Sequence, residues 1–232
     1  DDLTYDYGEN IDEFNGLDVE YLKAVSKNIN KDKTSMFGQP KDLGSGTAYM
    51  CTKDNEGNAV SLIQSNFHGI GSTIGVGDLG FFLHNRGAGF NLIQNHPNSL
   101  KAGRKPLHTL SPTIWSVDGN LDMIIGTRGG RYQPQLLSHF ILKILKNENL
   151  ENAMNAPRWN IDEFGKETVS EINIEPGLDE KIIDVLINKG HKVNQLTKLQ
   201  NSYGPISAIV KNNENWIALH DIRVDTSSSI IE

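Results

Sequence analysis

From Thr47 onward the chain turns strand-like. "TAYMCT" (47–52) and "AVSLIQS" (59–65) are short apolar-rich runs separated by the turn-forming "DNEGN", a spacing that predicts a β-hairpin. A second hairpin is predicted over 113–126, "TIWSVDGNLDMIIG", with Asp118, Gly119 and Asn120 in its turn. Directly after it, Gly129 and Gly130 precede a stretch in which Leu136, Leu137, Phe140, Ile141, Ile144 and Leu145 recur at helical spacing, so the order is strand, Gly-Gly, helix. "GLDEKIIDVLINKGHKV" (177–193) predicts a further helix capped by Gly190, and "GPISAIVKNNENWIALHD" (204–221) a closing hairpin. Upstream, 1–46 is polar and charged. Leu17, Tyr21, Leu22 and Val25 mark one helix within 11–29, and "NKDKTSMFGQPKDLGSG" (30–46) reads as a connector. Strands grouped with strands and helices with helices favour α+β layers over a doubly wound parallel sheet.

Composition narrows the function classes. With 232 residues and 37% hydrophobic content, the chain can bury a sizeable core as one large domain or two small ones. A formal charge of −7 opposes binding to phosphate backbones, and "KAGRKP" (101–106), the densest basic patch, holds three charges, so no nucleic-acid partner is expected. No apolar run approaches the roughly 18 residues of a membrane span. Cys51 is the only cysteine, which excludes an intrachain disulfide and leaves the compartment open. No cluster of His, Cys and acidic residues stands at metal-ligand spacing, and Gly69, Gly71 and Gly75 precede no helix as a phosphate loop would, so no metal or cofactor is expected. The opening "DDLTYDYGENIDEFNG" has neither an initiator Met nor the order of a signal peptide, and reads as an interior piece of a longer polypeptide.

Thr47 is the candidate for chemistry. A threonine hydroxyl is a poor nucleophile until a base takes its proton, and one solution uses the residue's own α-amine, which requires the bond between Gly46 and Thr47 to be cut. A glycine before the threonine gives the peptide the freedom in which the hydroxyl can attack the preceding carbonyl. Acyl transfer also needs donors for a developing oxyanion, and Gly129 and Gly130 offer backbone N–H groups at a strand-to-helix junction. Taken alone, 44–46 also fits a plain turn with Thr47 opening a strand, and the glycine pair fits a tight turn without a ligand.

The order and spacing of "GTAYMCTKDNEGNAVSLIQSNFHGIGS" (46–72), "GFFLHNRGAGF" (80–90), "GRKPLHTLSPT" (103–113), "GTRGGRYQPQ" (126–135), "NAPRW" (155–159) and "HDIR" (220–223) resemble the small subunit of γ-glutamyltranspeptidases, most of all a divergent branch with "QSN" and "QNRG"-type signatures. That family belongs to the N-terminal nucleophile (Ntn) hydrolases and is made as one precursor that cuts itself before a threonine. The resemblance implies an α+β fold, a four-layer αββα sandwich whose strand layers are formed jointly by both subunits. It makes 1–46 the tail of a large-subunit region with its connector, and 47–232 the small-subunit-like catalytic region. The large-subunit region of the same precursor is then a partner. A small-molecule amide or γ-glutamyl compound, such as glutathione, is the implied substrate.

Residue by residue, the resemblance puts the nucleophile on Thr47 and the cleavage site between Gly46 and Thr47. Ser65 falls on the threonine that hydrogen-bonds the nucleophile, and Gly129 and Gly130 fall on the oxyanion pair. On the substrate side, His108 and Thr109 fall on paired serines that hold the glutamyl α-carboxylate. Arg86 and Gly89 fall on the glutamine and aspartate that bind the α-amine, and Phe67 counts among the substrate-binding residues. The acidic anchor for the amine is therefore gone, and a cationic Arg86 repels an ammonium group. Read without that frame, Ser65 is a strand hydroxyl, His108 a surface-loop histidine and Arg86 a partner for a core carboxylate. Two alternatives follow: an amide acylase on non-glutamyl substrates, and a non-catalytic remnant or assembly subunit. The latter is motivated by Ala48, where many members carry a second threonine.

Overall fold

The first strand-like run folds as its pattern predicts. β1 (Thr47–Lys53) and β2 (Ala59–Ser65) pair antiparallel in unbroken register, from Thr47 opposite Ser65 to Lys53 opposite Ala59. Asp54 organises the turn: its carboxylate accepts the N–H groups of Glu56 and Asn58 and the Asn58 side-chain amide, and Gly57 closes the turn at φ 91°. The computed structural model describes residues 46–161, 171–225 and 228–230, with Lys23 and Asp32 as single positions. The helix predicted within 11–29 and the connector over 30–46 therefore lie outside the described residues, apart from Lys23, Asp32 and Gly46.

β3 (Thr113–Val117) and β4 (Asn120–Thr127) form the second hairpin. Its turn is two residues long, Asp118 at φ 50° and Gly119 at φ 80°, the left-handed pair whose twist suits flanking strands. Asn120, expected in the turn, instead opens β4. The predicted helix follows as α1 (Gln133–Leu145), entered with a proline in its first turn and burying Gln133, Leu136, Leu137 and Phe140 on one face. The sequence pattern did not reveal α2 (Leu150–Asn155), nor the strands β5 (Trp159–Ile161), β6 (Glu171–Ile174) and β7 (Lys192–Gln195). Each is three to six residues long, too short for periodicity to accumulate. The helix predicted over 177–193 is α3 (Glu180–Asn188), with Gly190 left-handed at φ 92° just beyond its end. β8 (Ile206–Asn212) and β9 (Asn215–His220) form the closing hairpin.

Among the described residues these strands make three sheets: β1-β2, an antiparallel β3-β4-β8-β9, and β5-β6-β7, where β6 and β7 run parallel. α3 is the crossover between those parallel strands and packs Ile183 against Ile172 and Ile174. The larger core lies on one face of the four-stranded sheet, where Met123, Ile125, Ile206, Ala208 and Val210 meet Leu137 and Phe140 of α1 and Ala153 and Met154 of α2. The hairpin β1-β2 lies against the opposite face, touching β4 and β8. β4 is thus covered on both sides, and its last five residues are all buried. The stacking is helices, sheet, hairpin, so helix and strand content is mixed in grouped layers as predicted.

One contact fixes how hairpin and sheet approach. A side chain at Gly126 would collide with the ring of Tyr49, which is half-buried, hydrogen-bonded to Ser61 Oγ at 2.9 Å, and pushed well above the usual phenol pKa by desolvation. Gly126→Ala should therefore destabilise by about 1–3 kcal/mol. The same substitution made with Tyr49→Ala should cost markedly less. Equal melting-temperature losses in the two backgrounds would show that this contact does not set the spacing.

Candidate active site

Thr47 begins β1 and is 7% exposed. Because it stands directly opposite Ser65, its Oγ1 donates to Ser65 Oγ at 2.9 Å, and the same oxygen accepts the Phe67 N–H at 3.0 Å. The second bond depends on a tight turn after β2, with Phe67 at φ 77°, a conformation that non-glycine residues adopt only where the surroundings impose it. Asn85 imposes it here: its side chain accepts from His68 N at 2.9 Å and donates to the carbonyls of His68 and Gly71. At Gly46 any Cβ would collide with the Gly69 carbonyl oxygen. The glycine before the threonine is thus required by close approach of backbone, and its φ lies outside the left-handed region. In the uninterrupted chain the Thr47 nitrogen is still a peptide amide.

Gly129 and Gly130 sit where β4 gives way to a short 3₁₀ turn and α1, at φ 127° and φ 56°. The leading N–H groups of such a segment lack partners within it, which suits them to an anionic oxygen. Arg128, directly before the pair, lines an open cleft of about 430 Å³ with Gly46, Thr47, Ala48, Gln64, Ser65 and Asn66. It also lines a second cavity of about 310 Å³, shared with Thr47 and Ala208. Thr47 and Arg128, the residue before the glycine pair, therefore border one space.

The pair is braced from behind. A Cβ at Gly204, itself at φ 56°, would strike the Arg128 carbonyl and the Leu136 side chain. Thr127 Oγ1 donates to the Gly204 carbonyl at 2.7 Å, and Arg158 Nη1 donates to the same oxygen at 2.6 Å and to the Tyr203 carbonyl at 2.8 Å. Arg158 Nη2 pairs with Asp221 Oδ2 at 2.5 Å, and Asp221 Oδ1 accepts from Arg223 N and Nη1. Arg223 in turn pairs with Glu175, whose Oε2 accepts the Arg158 N–H. Two cations and two anions, all buried, thus balance one another behind the glycine pair.

The placements of the expected residues differ. Thr47 and Ser65 come together across β1 and β2, while Gly129 and Gly130 stand at the end of β4 directly after Arg128, which lines the cleft beside Thr47. Arg86 lies next to this group: its Nη2 reaches the Ser65 carbonyl at 3.5 Å and its guanidinium stacks over the Phe67 ring at 5.4 Å. Gly89 is half-buried with ordinary van der Waals space for a Cβ, and its carbonyl accepts from the Asn98 side chain. His108 is exposed and Thr109 half-buried on the segment before β3, and neither lines the cleft beside Thr47. Among the described residues no carboxylate pairs with Arg86, so its use as a core ion-pair partner is not seen. Sequence reasoning missed Arg128, whose signal was a cation directly before Gly-Gly. It also assigned no role to Arg158, Asp221 and Arg223, although they occupy "NAPRW" and "HDIR". Among the described residues no group of His, Cys, Asp and Glu could hold a metal ion, and no helix is long and apolar enough to cross a membrane.

Grouped α+β layers, with a threonine opening one strand and a glycine pair at a strand-to-helix junction, fit an Ntn-hydrolase-like fold, and the comparisons identify the family. The gamma-glutamyltranspeptidase family model matches residues 5–231, and the chain belongs to that family. It is 32% identical over 87% of its length to a glutathione hydrolase-like YwrD proenzyme of Bacillus subtilis, covering 38% of that protein. It is also 32% identical to an oxamate amidohydrolase proenzyme of Klebsiella pneumoniae, over 84% of this chain and 37% of that one. The chain thus spans under two-fifths of the curated relatives it matches. Among solved structures, a cephalosporin acylase from Bacillus halodurans is 27% identical with a TM-score of 0.76, over 93% of this chain and 39% of that one.

The buried charge network makes a pH-dependent prediction. Burial alone would raise the Asp221 pKa, but the charge of Arg158, the N–H of Ile206 and Arg223 outweigh it and hold the carboxyl below its ordinary value. A depressed carboxylate pKa contributes stability that is complete above the unfolded value of about 4 and is lost as pH falls through the lower folded value. Asp221→Asn should lower stability near neutrality by about 3–5 kcal/mol, because it leaves Arg158 and Arg223 under-compensated. The gap in melting temperature between wild type and variant should close as the pH is taken from 5 towards 2. A gap that stays constant over that window would contradict the assignment.

Proposed function

We propose that this chain is the C-terminal part of a self-processing Ntn amidohydrolase that transfers or hydrolyses the acyl group of γ-glutamyl-type amides through Thr47. The observation that carries the reading is the buried Thr47 hydroxyl, bonded to Ser65 at the first position of β1 and preceded by a glycine that admits no side chain. Residues 1–46 are then the tail of a large-subunit region, and 47–232 the catalytic region. The preceding large-subunit region is its partner and completes a four-layer αββα sandwich, of which helices, sheet and hairpin are three layers. The proenzyme names of the relatives support a precursor of this kind.

In processing, Thr47 Oγ1 attacks the Gly46 carbonyl carbon and the peptide C–N bond breaks, so that the acyl group moves to oxygen and the Thr47 α-amine is freed. Water hydrolyses the resulting ester, leaving a carboxylate on Gly46. In catalysis that α-amine takes the Oγ1 proton as the oxygen attacks the substrate amide. The N–H groups of Gly129 and Gly130 hold the oxyanion, at positions fixed in advance by Gly204 and the charge network, so no reorganisation is needed. Collapse passes the proton to the leaving amine and leaves an acyl ester on Thr47. Water or an acceptor amine then takes the acyl group by the same steps reversed.

Thr47→Ala in the full-length protein should give an uncut, folded and inactive precursor, whereas Thr47→Ser should be cut slowly and keep reduced activity. Gel electrophoresis beside a γ-glutamyl anilide assay reads both. Cleavage of the Thr47→Ala protein after Gly46 would sink the mechanism. Gly129→Ala forces a side chain into a positive-φ site and against Leu136, and should lower kcat more than it raises KM. A change confined to KM would remove the glycine pair from the transition state.

A further inference from the structure

The donor side of the site carries an unanswered positive charge. Arg86 Nη1 is buried without a hydrogen-bond partner, and Nη2 has only a long 3.5 Å contact to the Ser65 carbonyl. Its guanidinium rests on the Phe67 ring, and no described carboxylate faces it. Desolvation pulls its pKa down, the direction for a cation sheltered from water without a counter-ion. A guanidinium donor left open in a partly buried place is costly unless a ligand supplies the acceptor.

Ser65 ties this cation to the chemistry. Its hydroxyl accepts from Thr47, its carbonyl faces Arg86, and the N–H of Phe67, whose ring supports the guanidinium, donates to its hydroxyl. Arg128 lines the cleft beside Thr47 and Ser65, so a second positive charge stands near the first, and its Nη2 donates to the Asn201 carbonyl. At Gly89, the other position expected to meet an amine, there is room for a side chain but no acid.

We propose that the acyl donor is recognised through a carboxylate held by Arg86, with no contribution from an α-ammonium, so that the substrate class is the monoamide of a short dicarboxylic acid. A γ-glutamyl amide is one member, and its amine adds nothing to binding. This rests on Thr47 as the nucleophile, and the chemistry is unchanged: the amide carbonyl goes to Thr47 Oγ1 and then to water, while the distal carboxylate stays ionised on Arg86.

The test compares glutaryl, γ-glutamyl and butyryl p-nitroanilides on the full-length, processed protein. Glutaryl kcat/KM should equal or exceed the γ-glutamyl value, and the butyryl compound, which lacks the carboxylate, should fall below both by about tenfold or more. Arg86→Gln should raise the glutaryl KM by about tenfold with kcat changed far less, and Arg86→Lys should recover part of the loss. Arg86→Gln with Gly89→Asp should reverse the preference towards γ-glutamyl. A γ-glutamyl preference of about tenfold or more in the wild type, or an unaltered glutaryl KM in Arg86→Gln, overturns the proposal while leaving the Thr47 mechanism standing. If no anilide is hydrolysed and the chain stays uncut, the Thr47 reading fails, and calorimetry with glutarate, L-glutamate and butyrate still decides the anchor. Glutarate must then bind more tightly than butyrate, at least as tightly as glutamate, and only while Arg86 is present.

Discussion

The contact between the Tyr49 ring and the bare backbone of Gly126 governs the rest of the site. Tyr49 lies two residues after Thr47 on β1, and Gly126 three residues before Gly129 on β4. Packing one on the other lays the start of the hairpin beside the end of the central strand. Because β4 is also covered by helices on its other face, neither layer can slide without opening a buried apolar surface, and close-packed interiors resist such shifts. The hydroxyl and the glycine pair are thus placed by packing between layers.

Packing sets the distance between layers, and the buried charges set the backbone. Arg158, Asp221, Arg223 and Glu175 come from separate stretches of the chain, and their hydrogen bonds converge on the carbonyls of Tyr203 and Gly204 and on the N–H groups of Ile206 and Arg158. Burying four ionised groups is favourable only where each is paired and bonded, which limits this network to one geometry. What it stabilises is a loop that no apolar packing would hold, since its backbone polar atoms face the interior. Gly204 then supports the turn at Gly129 by close approach. A cluster that looks structural thus fixes the backbone around Gly129.

Two positive-φ positions stand close to the residues around Thr47. Phe67 at φ 77° directly follows the cleft residues Ser65 and Asn66, and Gly129 at φ 127° directly follows Arg128. The first is held by the polar contacts of Asn85 and the second by close approach of the Gly204 loop. The cations Arg86 and Arg128 give the same region a positive field in a chain whose formal charge is −7. Local sign and net sign thus oppose each other where an anionic ligand would enter.

The sequence by itself determined the elements with strong local signals: all three hairpins, α1 with its glycine-pair entry, α3 with Gly190, and the α+β grouping. Turn chemistry and periodicity act over a few neighbouring residues, so they can be read without the fold. The Thr47–Ser65 pairing was also within reach, since a short turn between two strands fixes register. The role of Gly46 was legible only in part, because the demand for glycine comes from the distant Gly69 carbonyl rather than from its own φ. The three short strands, α2, the Arg158 network and the place of Arg128 in the cleft were decided by tertiary structure alone. Strands of three or four residues carry no period, and a buried ion pair between positions 63 residues apart leaves no local trace. The contacts that aim the site are long-range, and only the folded chain brings their partners together.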